Sequence, residues 1–140
     1  MLLLTHNAPS IELASRPYFD RYIELSKKCG LNLNTAEIRI EYMDTKIKYQ
    51  VATCNSSQQI IRLDRRSFRG DDIRREQILF HELTHCLMSQ GHNDIDLNIM
   101  NTSGFIDNLD YVNNYDMYIR KMFKVCNYKE QIKYEGYDGN

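Results

Sequence analysis

"GDDIRREQILFHELTHCLMSQG", residues 70–91, is the stretch on which the architecture turns. Asp71 or Asp72 is placed to cap a helix, because a short carboxylate accepts from the amides that a first turn leaves unbonded. Ile73, Phe80 and Thr84 line one side of that helix, and Leu79, Leu83, Cys86 and Leu87 another. Beyond its charged first turn the helix is apolar nearly all round, the pattern of a central, buried helix. Gly91 supplies its expected stop, since glycine readily takes the left-handed conformation that ends helices.

A buried helix needs partners, and the preceding chain offers strands. "EIRIEYM" (37–43) and "IKYQVAT" (47–53) alternate apolar and polar residues around Asp44-Thr45-Lys46, which predicts a hairpin. "QQIIRLD" (58–64) follows the turn cluster Asn55-Ser56-Ser57 and predicts a further strand. Earlier still, "RPYFDRYIELSKKCG" (16–30) predicts a helix with Pro17 at its start, Phe19, Tyr22, Ile23 and Ser26 on one side and Gly30 as stop. Residues 92–112 look irregular. "NNYDMYIRKMFKVCNYKEQIKY" (113–134) predicts a last helix with Met117, Ile119, Met122, Phe123 and Cys126 as packing residues.

The 140 residues suffice for one core, so a single domain over 1–140 is expected. Within it, 1–91 would carry the sheet and central helix and 92–140 the remainder. The fold class is α+β, a small twisted mixed sheet packed on the central helix, with N-terminal and C-terminal helices. Lys plus Arg number 18 against 19 Asp plus Glu, a net charge of −1 that calls for neither nucleic acid nor an anionic membrane. Arg62, Arg65, Arg66, Arg69, Arg74 and Arg75 are interleaved with Asp64, Asp71 and Asp72, which favours a self-compensating loop over a nucleic-acid patch.

Leu2-Leu3-Leu4 is too short and lacks the basic flank of a secretory signal, so a cytoplasmic product is expected, or one carried within a virion. The four cysteines, Cys29, Cys54, Cys86 and Cys126, show no C-x-x-C spacing. They are expected to be free, mostly buried thiols in a reducing compartment.

His81-Glu82-Leu83-Thr84-His85 is an H-E-x-x-H pattern. Residues four apart on a helix share a face about 6 Å apart along the axis, so two imidazoles can close on one tetrahedral cation. Zinc suits neutral imidazole nitrogens. Glu82, beside the first histidine, is placed to take a proton from an attacking water. The spacing alone is equally compatible with hydrogen-bonded core histidines. His92, directly after Gly91, changes the balance, because a chain reversal at that glycine would swing a third imidazole back toward the pair. Three protein ligands leave one position open, as a catalytic zinc requires.

With these residues in view, 81–100 resembles the metzincin metallopeptidases, whose motif is H-E-x-x-H-x-x-G-x-x-H followed by a methionine-containing turn. His81, Glu82 and His85 match the motif, His92 the third ligand and Met100 in "NIMN" the Met-turn. The eight-residue step from His92 to Met100 is similar to that of the matrixin branch. His92 falls eleven residues after His81, where the family has ten, and the glycine stands next to it rather than three before, so the helix is expected to run almost one turn longer. The resemblance implies that Met100 floors the ligands and that 58–64 is the strand along the cleft that pairs with an extended peptide. Some members carry a tyrosine where Thr102 stands here.

The expected activity is therefore that of a zinc metalloendopeptidase acting on peptides or proteins, with His81, His85 and His92 as ligands and Glu82 as base. Asp94 and Asp96 are rival third ligands, although turn formation is the better account of "NDID". Tyr111, Tyr115 and Tyr118 are expected to pack, with one of them a candidate to polarise a carbonyl. The competing expectation is a structural component of a larger assembly such as a phage particle, touching other chains, with its zinc site silent or vestigial.

Overall fold

The computed structural model describes residues 9–44, 51–102 and 104–138. Two strands and a helix open the chain: β1 (Ser10–Ile11), α1 (Arg16–Lys28) and β2 (Arg39–Met43). Then come β3 (Ala52–Asn55), β4 (Ile60–Asp64) and the central helix α2 (Asp72–Met88), followed by α3 (Asn108–Asn113) and α4 (Tyr115–Phe123). Among the described residues the result is an α+β domain with a mixed four-stranded sheet and four α-helices.

The strand order is β1-β2-β4-β3, with β2 parallel to both β1 and β4 and β3 antiparallel to β4. The hairpin expected between 37–43 and 47–53 does not form, because β4 lies between β2 and β3. Its turn residues Thr45 and Lys46 and the first part of its second strand fall outside the described residues. The hairpin that does form joins β3 to β4 through 56–59, where Asn55 Oδ1 accepts from Ser57 Oγ at 2.9 Å and Gln58 N at 3.1 Å. Alternation cannot distinguish these pairings, since a strand's pattern says which face is buried and not which neighbour it takes. β4, with the burial pattern of an inner strand, contributes the fully buried Ile61 and Leu63.

α2 begins as the sequence indicates, with Asp71 accepting from Arg74 N at 2.9 Å. It packs against β3, β4 and α1. Leu79, Phe80, Leu83 and Thr84 are fully enclosed. Tyr22 of α1 packs edge-on to Phe80, its ring 5.3 Å away, and hydrogen-bonds Thr84 Oγ1 at 2.9 Å. Among the described residues, no helix is long and apolar enough to cross a membrane.

Two further differences concern the C-terminal third. A short helix, α3, forms inside the region expected to be irregular, and the last helix stops at Phe123 rather than near 134. Lys124 turns the chain with φ 64, and Cys126 is then disulfide-bonded to Cys29 at the end of α1. Asn127 N donates to Cys29 O at 3.2 Å, and its side chain packs so closely on Gly30 that a Cβ there would lie 2.6 Å from Nδ2. Glycine at 30 is thus required by φ +87 and by this contact. Met117 is 48 % exposed, while Ile119, Met122 and Phe123 are buried.

All four cysteines are paired, as Cys29–Cys126 and Cys54–Cys86, which corrects the expectation of free thiols. Positions 29, 54, 86 and 126 carry no spacing signal because the partners meet only through the packing of α1, α2, β3 and the tail. The first bridge spans 97 residues, and closing so long a loop stabilises a fold by about 4–5 kcal/mol on the chain-entropy argument.

The tail also reaches α2. Glu76, wholly buried, accepts from Tyr111 Oη at 2.6 Å and from Tyr137 Oη. Arg21 covers the Tyr137 ring at 4.3 Å and donates to Glu135 O at 2.5 Å. Burial pushes the Glu76 carboxyl upward, opposed by its tyrosine hydrogen bonds and by Arg21. Glu76→Ala strands the buried Tyr111 hydroxyl and the half-buried Tyr137 hydroxyl, a buried one being worth about 1–3 kcal/mol, so urea denaturation should show a loss of about 2–5 kcal/mol.

Candidate metal centre

His81 and His85 lie one turn apart on α2, whose packing leaves one strip of the helix facing a cleft of about 970 Å³. Val51 and β3, through Ala52 to Cys54, line it from the sheet, and Asn98, Ile99, Asn101, Thr102, Gly104 and Phe105 line it from the loop that follows the helix. The strand beside the cleft is therefore β3, at the sheet edge, and not 58–64, whose β4 is paired on both sides. Cys54–Cys86 ties that edge strand to α2 immediately after His85, so Cys86 is more than a core residue.

The helix ends at Met88, earlier than the glycine at 91 suggests. Ser89, with φ 53, takes the left-handed conformation, and Gly91 is not in that region. The reversal nevertheless brings His92 to the pair. His85 Nε2 stands 3.0 Å from His81 Nε2 and 3.3 Å from His92 Nε2. The three residues offer ligand atoms within 4.8 Å of one another and could hold a metal ion.

The other ring nitrogens decide what those contacts mean. His81 Nδ1 lies 2.7 Å from Ile99 O and His85 Nδ1 2.5 Å from Gln90 O. A carbonyl oxygen only accepts, so both Nδ1 atoms carry the proton. In neutral rings both Nε2 atoms then present lone pairs, and two lone pairs at 3.0 Å do not form a hydrogen bond. A cation between them, whether a proton or a metal ion, turns that contact into an attraction. On His81 a proton is disfavoured, because burial first, and the neighbouring histidines after it, push its imidazolium down to about 4 despite its bond to Ile99 O. A divalent metal fits better. Nitrogens bound at 2.0–2.1 Å to a tetrahedral ion lie about 3.3 Å apart.

Glu82 borders the same cleft, although only 6 % of it is exposed. Burial alone pushes its carboxyl up to about 7, the range suited to accepting a proton near neutrality. A cation in the histidine cage would draw it lower.

The remaining expected residues divide clearly. Met100 is buried in the core, directly after the Ile99 carbonyl that receives His81, and does not border the cleft. Asp94 bonds Thr102 through its N at 2.7 Å and its Oγ1 at 2.6 Å, and Asp96 pairs with Lys121. Both build the turn rather than join the histidines. Tyr111, Tyr115 and Tyr118 are buried together, Tyr111 stacked on Tyr118 at 5.9 Å, and none borders the cleft. Ile99 O and Gln90 O could not have been found from sequence, since every residue carries a carbonyl. The same holds for Ser89, whose type gives no reason to prefer it over Gly91 for the left-handed position.

No family model, curated protein or solved structure matches this chain.

Proposed function

We propose that this chain is a zinc-dependent metallopeptidase of metzincin type that hydrolyses peptide bonds. The observation that carries the reading is the pair of Nε2 lone pairs 3.0 Å apart, each fixed there by an Nδ1–H bonded to a backbone carbonyl, with His92 closing the third side. His81, His85 and His92 would hold the ion, and zinc, when bound, supplies Lewis-acid activation of water and of the scissile carbonyl.

The chain's own residues do the rest. Glu82, in its apolar surroundings, takes the proton of the attacking water and returns it to the departing amine, a role for which a carboxyl near neutrality is suited. β3, the sheet edge beside the cleft, offers its outer backbone groups to an extended peptide. Thr53 on that strand and Ile78 and Phe105 opposite it give the cleft an amphipathic lining suited to side chains of mixed type. The minimal metzincin-like architecture, a mixed sheet behind the histidine helix with the Met100 turn beneath it, belongs to the same proposal.

A second reading, a structural part of a larger assembly with a silent site, draws support from exposed apolar side chains such as Ile95 and Leu109. The tyrosines that might have served an assembly are consumed in the chain's own core, and the histidines face an open cleft, which favours the enzyme. Two disulfides support action in an oxidising setting or on a particle surface rather than in reducing cytoplasm.

The test is metal analysis of the purified chain together with cleavage of an unfolded protein such as casein. About one zinc per chain is expected, with cleavage abolished by a chelator and restored by zinc. A chain that takes up no divalent metal would overturn the proposal, and one that holds zinc yet cleaves nothing would favour the structural reading.

A further inference from the structure

We propose that Asn98 is a positioning residue for the metal centre, its side-chain amide locking the loop that delivers His92 to the carbonyl that orients His81. The inference rests on the metal-centre reading above. His92 runs directly into Asn93, and Ile99, whose carbonyl receives His81 Nδ1 at 2.7 Å, runs directly into Met100. Between these points the chain closes on itself, with Asn93 N donating to Met100 O at 2.9 Å.

Asn98 fills that loop. Its Nδ2 donates to Asn93 O at 3.0 Å and to Asp96 O at 2.7 Å, and its Oδ1 accepts from Met100 N at 2.7 Å. One amide thus grips the residue after the third ligand and the residue after the first ligand's acceptor. The residue is 5 % exposed, so water does not replace these bonds at no cost. Asn101 Nδ2 also reaches Asn93 O and Asp96 O, at 2.7 and 2.9 Å, but no bond joins its side chain to Met100.

The chemistry requires an amide and not merely its shape. A carboxylate at 98 could still accept from Met100 N, yet it would turn an oxygen toward two carbonyls and toward the Asp96 carboxylate, whose Oδ1 lies 3.4 Å from Nδ2. Two of the three ligand directions then lose a shared support. Lys121 holds the same loop from outside, through its ion pair with Asp96.

The experiment uses cobalt(II) as probe, because its visible absorption reports coordination geometry as well as occupancy. Wild type, Asn98→Ala, Asn98→Asp and Lys121→Ala are titrated, and metal-free samples are melted to establish folding. Asn98→Asp, matched in size, keeps the test open where Asn98→Ala does not fold. Both position-98 variants should bind cobalt about 10–100-fold more weakly than wild type, the usual effect of losing an outer support of a ligand. Their absorption should be altered, while Lys121→Ala stays within about twofold of wild type in affinity.

Unchanged affinity and spectrum in the position-98 variants would overturn the inference while leaving the metal centre standing. An equal loss in Lys121→Ala would overturn it too, by assigning the effect to loop anchoring in general. Collapse of both metal-free variants would assign Asn98 to the fold instead of the centre. Wild type that binds no cobalt would remove the metal-centre reading itself.

Discussion

Glu82→Gln is expected to keep its metal and its fold and to hydrolyse peptides about 10²–10⁴-fold more slowly than wild type, the usual share of a general base. Glutamine matches glutamate in size, so the buried position is refilled without a cavity. It cannot accept a proton at neutral pH. Glu82 has no place among the three histidines, so zinc content should be unaltered. The change should appear in kcat, with KM nearly constant, because the carboxyl acts on the reacting water and not on the bound chain. Zinc-loaded Glu82→Gln with wild-type kcat would remove the assigned base while leaving the metal site intact.

His92→Ala is expected to lower zinc affinity by more than the roughly 10–100-fold that follows loss of an outer partner. His81 and His85 share one helix face and keep their carbonyl partners, so the pair survives the substitution. Two nitrogens cannot define a tetrahedral site by themselves. The lost ligand lies on the loop beyond Ser89, outside the helical core, so the metal-free melting temperature should change little. Competition with a chromophoric chelator measures the difference. Equal affinity in wild type and His92→Ala would take His92 out of the site and reopen the question of a third ligand.

These outcomes depend on features of unequal visibility in the sequence. The cap at Asp71 and the burial of Ile78, Leu79, Phe80, Leu83 and Thr84 are local properties, set by side-chain size and period, and they appear where the pattern puts them. The four-residue step from His81 to His85 is equally local, because helix geometry alone puts both rings on one face. His92 depended on a reversal, which occurs, but at Ser89 in place of Gly91.

What alternation could not supply was the neighbour relation. β2 and β3 lie close in sequence yet take β4 between them, which moves the cleft edge from 58–64 to β3. The cysteines carried no pairing signal, because each bridge joins elements from distant parts of the chain. The last helix had a suitable apolar period through 123, but the Cys29–Cys126 bridge and the bonds of Asp116 and Arg120 to the tail favour an extended course beyond it.

The sequence by itself determined an α+β chain with a buried central helix, two imidazoles on one face and a carboxyl beside them, since each follows from residue type and periodicity. Only the tertiary structure decided which nitrogen His81 and His85 present, for that depends on the carbonyls of Ile99 and Gln90, whose positions are set by packing between segments and by no property of the residues that carry them.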